Sequence, residues 1–157
     1  MRTCTLFVMF SIFFSLNCSN KKNTPNLSEP SPPDYVLGTF EDDYGIQYLV
    51  SDSLFILLPN DNYHIKKWAL DQQFLIAQND SANSYDPGKW TRIDWIQLEN
   101  MSPFEWAFCL SVFNAETALD AENFATVNPE TPRTGCNDFP FSRMQRIAEP
   151  DTRPRSY

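Results

Sequence analysis

His64 is the one histidine in this sequence, and it stands beside Tyr63 in a stretch that alternates like a strand. An imidazole titrates close to neutral pH and can serve as a general base, here with an Asp or Glu beside it. Nothing else in the chain completes a catalytic set, since there is no G-x-S-x-G elbow to present a nucleophile. A lone histidine among polar residues is by default a surface side chain. Arg92 and Asp94 are a second candidate pair, because residues two apart on a strand share a face, here with Trp90. Their simplest role is an ion pair that satisfies both groups when partly buried and helps to specify the fold. Their functional alternative is the polar floor of a ligand pocket walled by Trp90, Trp68 or Trp95. Tryptophan suits a sugar- or peptide-binding cleft, although it fills β cores more often.

Other chemistries are poorly provided for. Two cysteines, Cys109 and Cys136, with His64 fall short of a four-ligand zinc set. The acidic turns Glu41-Asp42-Asp43 and Asn60-Asp61-Asn62, with Asn79-Asp80 and Asp86, lack the spacing of a calcium loop and read as solvated turns. The four glycines are dispersed, so no phosphate cradle is expected. The reading calls for no metal and no cofactor.

The elements that must position these residues repeat with a period of two, and turn signals arrive about every ten residues, the pattern of an antiparallel meander. Strands are expected over residues 36–40, 46–50, 54–58, 63–70, 74–78, 89–98 and 104–113. Pro59-Asn60-Asp61-Asn62 is a turn by composition, and a hairpin is expected around Asp71-Gln72. In the sixth strand Thr91, Ile93 and Trp95 share one face and Trp90, Arg92 and Asp94 the other. In the seventh, Phe104, Trp106, Phe108, Leu110 and Val112 fall on one side. One short helix interrupts the pattern over 116–125, capped by Asn114 or Thr117, with Ala118, Ala121, Phe124 and Ala125 as its apolar stripe. It packs on the sheet or plugs one end. A proline-bearing loop over 127–135 leads to Cys136, and the segment 138–144 brings Phe139 and Phe141 to the edge of the core. The fold class is mainly β: an antiparallel meander forming a small sheet, sandwich or barrel-like domain with one short helix and one disulfide.

The opening residues belong to an address rather than to this domain. Met1 and Arg2 precede TCTLFVMFSIFFSL, an uncharged run of 14 residues that ends at Leu16. A membrane-spanning helix needs about 20 apolar residues, and Asn17 followed by Asn20, Lys21 and Lys22 closes the run too early. Residues 1–17 therefore read as a signal peptide. Residues 18–33, CSNKKNTPNLSEPSPP, are polar and proline-rich and read as a flexible tether. One β-rich domain follows over 34–147, about 114 residues and enough for a single core. A flexible tail covers 148–157.

Charge limits the partners. No acidic residue precedes Glu29, so removing Arg2 from the 12 basic residues leaves 11 against 20 acidic ones, a net charge of −9. Nucleic acid, which is bound through clustered Lys and Arg, is an unexpected partner. Beyond a lipid of the chain's own, anionic membrane surfaces are unexpected too. With Cys4 inside the removed segment and Cys18 at its end, Cys109 and Cys136 are left in the exported domain. An oxidising compartment favours one disulfide between them, worth roughly 3 kcal/mol over a loop of 27 residues; two unpaired buried thiols are the alternative.

Two resemblances sharpen this outline. Ser15-Leu16-Asn17-Cys18 resembles the lipobox of bacterial lipoproteins, which implies that the Cys18 sulfur receives diacylglycerol. Ser15 and Asn17 depart from the usual aliphatic and small residues, in the manner of spirochaete lipoproteins. A diacylated, N-acylated cysteine carries enough chains for stable anchoring. Further along, GTFEDDYG from Gly38, FLIAQND from Phe74, GKWTRIDW from Gly88 and GCNDFPFSRM from Gly135 are similar to phrases in uncharacterised lipoproteins of leptospires and some other bacteria. Thr91, Asn137 and Phe141 replace that family's serine, glycine and tryptophan. The resemblance covers most of residues 38–144. It implies a shared fold and a Cys109–Cys136 bridge, and no activity.

The expectation is a lipoprotein tethered to the cell envelope, at the surface or periplasmic face of a bacterial outer membrane. Its partners would be the membrane, through the lipid, and a protein or glycan ligand. A small envelope hydrolase using His64 is the alternative. A secreted eukaryotic protein is a third reading, because Asn26, Asn79 and Asn100 each begin a glycosylation sequon.

Overall fold

The computed structural model describes residues 31–123 and 126–148. The expected signal peptide, Cys18, the tether up to residue 30 and the tail from residue 149 lie outside the described residues. Among the described residues eight strands follow in chain order: β1 (Gly38–Asp42), β2 (Gln47–Val50), β3 (Leu54–Leu57), β4 (Asp61–Ala69), β5 (Phe74–Asn79), β6 (Trp90–Gln97), β7 (Phe104–Ala115) and β8 (Ser142–Arg146), with one α-helix, α1 (Ala118–Asn123), before β8. Every strand pairs antiparallel with the next, and β8 closes on β1 through Phe40↔Arg146, Glu41↔Gln145 and Asp42↔Met144. The meander is a closed barrel.

Alternation decides what lies inside. Phe40, Tyr48, Val50, Phe55, Leu75, Ile93, Trp95, Trp106, Phe108 and Met144 form one interior cluster. Lys66, Lys67, Gln47, Gln97, Glu105 and Arg143 are exposed outside. An apolar interior and a polar exterior reverse the arrangement of a membrane-spanning barrel, whose outer wall faces lipid. Val36, in a 3-10 turn over Asp34–Val36, joins the cluster from one end. That end adjoins the start of β1 and the β6–β7 turn; it is called the lower end below.

Strands β5 to β7 are covered on both faces, so their alternation is blurred to continuous burial over Phe74–Ala77. On the outside, α1 lays the fully buried Ala121 over Phe74, Ile76 and Val112. Lower on the same wall, Phe141, Val127 and Cys136 cover Ile96, Ala107 and Cys109. The described helix begins at Ala118, two residues after the expected start; Phe124 and Ala125 of the expected stripe lie outside the described residues. Thr117 is its cap, its hydroxyl accepting the Asp120 N–H at 3.1 Å.

Three further details differ from the sequence-based expectations. β8 is a strand although only Met144 in it is fully buried, because its neighbours supply the ladder while Arg143 and Arg146 are exposed and Ser142 and Gln145 half-buried. Phe139 does not reach the core and is 70% exposed, whereas Phe141 is buried. Val112 leaves the face of Trp106 and Phe108, because the β6–β7 register slips between Arg92↔Val112 and Ile93↔Leu110. The slip at Ser111 turns Val112 outward under α1. A similar irregularity between Ile65 and Lys67 lets both Ile65 and Trp68 join the interior.

Candidate functional site

Arg92 and Asp94 share the outer face of β6 and form a built ion pair. The Arg92 Nε donates to both Asp94 oxygens at 3.2 and 3.0 Å, and Nη2 donates to Oδ1 at 2.6 Å. Nη1 donates to the Glu122 carbonyl of α1 at 2.7 Å, and the guanidinium lies 4.0 Å over the Phe74 ring. Ser111 completes the set by donating its hydroxyl hydrogen to Asp94 Oδ2. Side-chain exposures of 12% and 8% make this a nearly buried pair. Alternation along β7 already places Ser111 on this outer face with Ala107 and Cys109, and the slip beyond it adds Val112 to the same side.

The tryptophans do not gather round this pair as a single pocket. Trp68 and Trp95 meet edge to face inside the barrel with ring centroids 5.4 Å apart. Trp90 packs outside, with Phe74, Val112 and Ala121. Arg92, Asp94 and Trp95 do line a common cavity of about 160 Å³, closed by Gln72, Val127 and Phe141, but Trp68 and Trp90 do not.

His64 is on the outer face of β4, about half exposed, with Nε2 2.7 Å from Asp80 Oδ2. That hydrogen bond, followed by the Ala82 N–H, holds the Asp80 carboxyl below its ordinary range. Among the described residues no hydroxyl or thiol is hydrogen-bonded to the imidazole. A nucleophile–base pair needs that second contact. Asn79, the middle sequon, is buried, and its amide donates to the carbonyls of Asp86 and Phe113 at 2.9 and 3.1 Å. It cannot carry a glycan in this fold. No group of three or more metal-ligating side chains is gathered among the described residues.

Cys109 and Cys136 form the disulfide. It fixes a loop that folds largely upon itself: Asn128 N–H to the Gly135 carbonyl at 2.8 Å, Gly135 N–H to the Thr131 carbonyl at 2.7 Å, and Phe141 N–H to the Pro132 carbonyl at 2.8 Å. Only glycine fits at 135, where a Cβ would stand 1.8 Å from the Asn128 carbonyl oxygen.

This loop makes one wall of a groove of about 790 Å³ on the outside of the barrel. Ala107 and Phe141 lie along it, Pro132 and Pro140 come from the loop, Leu98 and Met101 from the β6–β7 turn, and Tyr44 from the β1–β2 turn. The lining is mainly carbon. At its rim Arg143 is held by Asp43, Nη2 to Oδ1 at 2.8 Å, and stacks 4.5 Å over Phe104. Arg133, also in the rim, is exposed and has no hydrogen bond or ion pair among the described residues. Sequence reading misses this groove, because its residues come from several separate segments; the proline-bearing loop and the exposed Met101 are its only local signals.

Comparisons with protein-family profiles, with curated proteins and with solved structures find no significant match to this chain.

Proposed function

We propose that this chain is a lipid-anchored envelope protein, of the leptospire type its motifs resemble, and that its barrel is a noncatalytic module that binds a segment of a partner protein. The observation that carries the binding reading is the 790 Å³ apolar groove with Arg133, which has no ion-pair partner among the described residues, at its rim. Apolar walls with a few placed polar groups are the usual composition of a binding cleft. The occupant that fits is an extended apolar peptide segment with a carboxylate, from a side chain or a C-terminus, that meets Arg133. A glycan fits less well, because the lining offers aliphatic and proline surface rather than stacked rings among hydrogen-bonding side chains. The acidic balance of the chain as a whole makes a basic spot in an apolar groove selective by contrast.

The hydrolase alternative would rest on His64 and Asp80. Their exposed position, and the lack of a hydroxyl or thiol bonded to the imidazole among the described residues, favour binding over catalysis.

A random peptide library panned against the full chain tests the groove. Enrichment of apolar peptides with an acidic residue, lost on Ala107→Trp and weakened about tenfold by Arg133→Glu, supports the reading. No enrichment, or peptides indifferent to Ala107→Trp, refutes it. Fatty-acid labelling of the wild type, abolished in Cys18→Ala, tests the anchor; an unlabelled wild type removes it.

A further inference from the structure

The barrel interior is filled unevenly. In its lower half Val36, Val50, Trp68, Ile93, Trp95 and Trp106 surround a void of only about 10 Å³. In its upper half Tyr48, Phe55, Leu57, Tyr63, Phe108 and Leu110 line a cavity of about 260 Å³. The cause is in the strands. β8 pairs with β7 no further than Phe108↔Ser142, while β7 continues to Ala115. The wall therefore has a notch, and the cavity reaches Ser142 and the disulfide through it.

The chemistry of this space differs from that of the outer groove. Four of its walls are aromatic, with Tyr48, Phe55, Tyr63 and Phe108 in mutual contact at centroid distances of 5.3–6.2 Å. No Lys or Arg lines it. Tyr48 spends its hydroxyl on Asp42 Oδ2 at 3.0 Å, but Tyr63 has no hydrogen-bond partner for its hydroxyl among the described residues. Asp61 stands two residues before Tyr63 on β4 and opposite Leu57, so it shares their face at the mouth of this cavity; burial raises the Tyr63 phenol above its ordinary value, and the Asp61 and Asp86 carboxylates add to that shift. Asp42, Asp61 and Asp86 have no ion-pair partner among the described residues. Aromatic walls with carboxylates nearby that lack a cationic partner among the described residues attract a cation and repel an anion.

We propose that the upper half of the barrel is a binding site for a small organic cation, an ammonium group on a compact apolar or aromatic body. At roughly 30 Å³ per water-sized group, 260 Å³ admits about eight or nine non-hydrogen atoms. This site is separate from the outer groove and stands or falls without it.

Benzylammonium, with benzyl alcohol and benzoate as neutral and anionic counterparts of nearly the same shape, are the probes. They are titrated into the full chain and followed by calorimetry and by amide chemical shifts. Benzylammonium binds at least tenfold more tightly than benzyl alcohol, benzoate does not bind, and the shifts centre on Phe55, Tyr63 and Phe108. Asp61→Asn weakens the cation severalfold and leaves the alcohol unchanged. Leu57→Trp fills the cavity and abolishes binding, and Leu110→Trp repeats the test from another wall if the first variant does not fold. Equal affinity for alcohol and ammonium, no binding by any probe, or binding that survives a filled cavity overturns the proposal.

Discussion

Removing one partner of the Arg92–Asp94 pair is the most direct test of how the barrel is held to its helix. Asp94→Ala leaves a guanidinium only 12% exposed, stripped of three donor contacts to the carboxylate. Breaking a buried pair from one side costs about 3–5 kcal/mol. The Glu122 carbonyl and the Phe74 ring still hold Arg92, and Ser111 keeps the Arg92 carbonyl as an acceptor at 3.2 Å, so the lower end applies. For a domain of about 114 residues, unfolding entropy near 2.1 cal/mol/K per residue converts about 3 kcal/mol into a fall in Tm of about 12 °C. Urea and thermal unfolding of the variant measure both. Replacing the pair together, Arg92→Met with Asp94→Leu, recovers most of the loss, because Phe74, Ile76, Val112 and Ala121 offer an apolar surround. A loss below about 1 kcal/mol for Asp94→Ala, or a double variant no better than the single one, refutes the claim that the pair is a matched, buried unit.

Four other expectations follow from the same geometry. Cys136→Ser releases a loop closed over a sequence separation of 27 and costs about 3–3.5 kcal/mol in urea unfolding under oxidising conditions, with no difference once the wild type is reduced. Tyr48 is pushed above its ordinary 10.0, first by burial and then by the Asp42 charge, so its neutral form stabilises the fold below pH 10 and that contribution is lost as pH rises through the raised value. Stability measured from pH 9 upward therefore falls, and falls less steeply in Tyr48→Phe; equal slopes contradict the assignment. Asp80 titrates below 3.8 because of His64, so its contribution is present above the unfolded value and lost as pH falls through the lowered one; carbon NMR should find its midpoint moved back up in His64→Ala. Gly135→Ala cannot keep the approach to the Asn128 carbonyl and should rearrange residues 126–141, visible as amide shifts confined to that loop and to the groove.

Legibility in the sequence follows the period of two. Where one face meets the interior and the other meets water, as in β2, with Tyr48 and Val50 buried between exposed Gln47 and Leu49, the strand can be read directly. The same rule places Arg92 and Asp94 side by side, because a spacing of two survives any register. It fails at β8, whose Ser142, Arg143, Gln145 and Arg146 look like a polar tail until β1 and β7 supply partners. It fails again at Val112, since a slipped register is a property of two strands and appears in neither alone. Closure of the sheet depends on β8, so the choice among open sheet, sandwich and barrel was hidden with it. The groove was hidden for a related reason. It is assembled from turns and a loop, whose meeting depends on closure and on the disulfide.

The position of the disulfide can be explained from the ladder itself. Pairing between β7 and β8 ends at Phe108↔Ser142, and Cys109 is the next residue along β7. Beyond that point β7 pairs on only one side, through β6, up to Trp90↔Ala115. A half-paired edge of this length invites pairing with other chains unless something covers it. The covalent bond starts where the hydrogen bonds stop, and it draws the 126–141 loop against the strand, with Asn137 donating to the Ser111 carbonyl at 3.2 Å. The loop therefore protects the edge, forms the groove wall over Ala107 and leaves the notch beside Phe108 open to the barrel interior. Adjacent residues of one strand thus face two different cavities, and the incomplete partnering of β7 is the common origin of both.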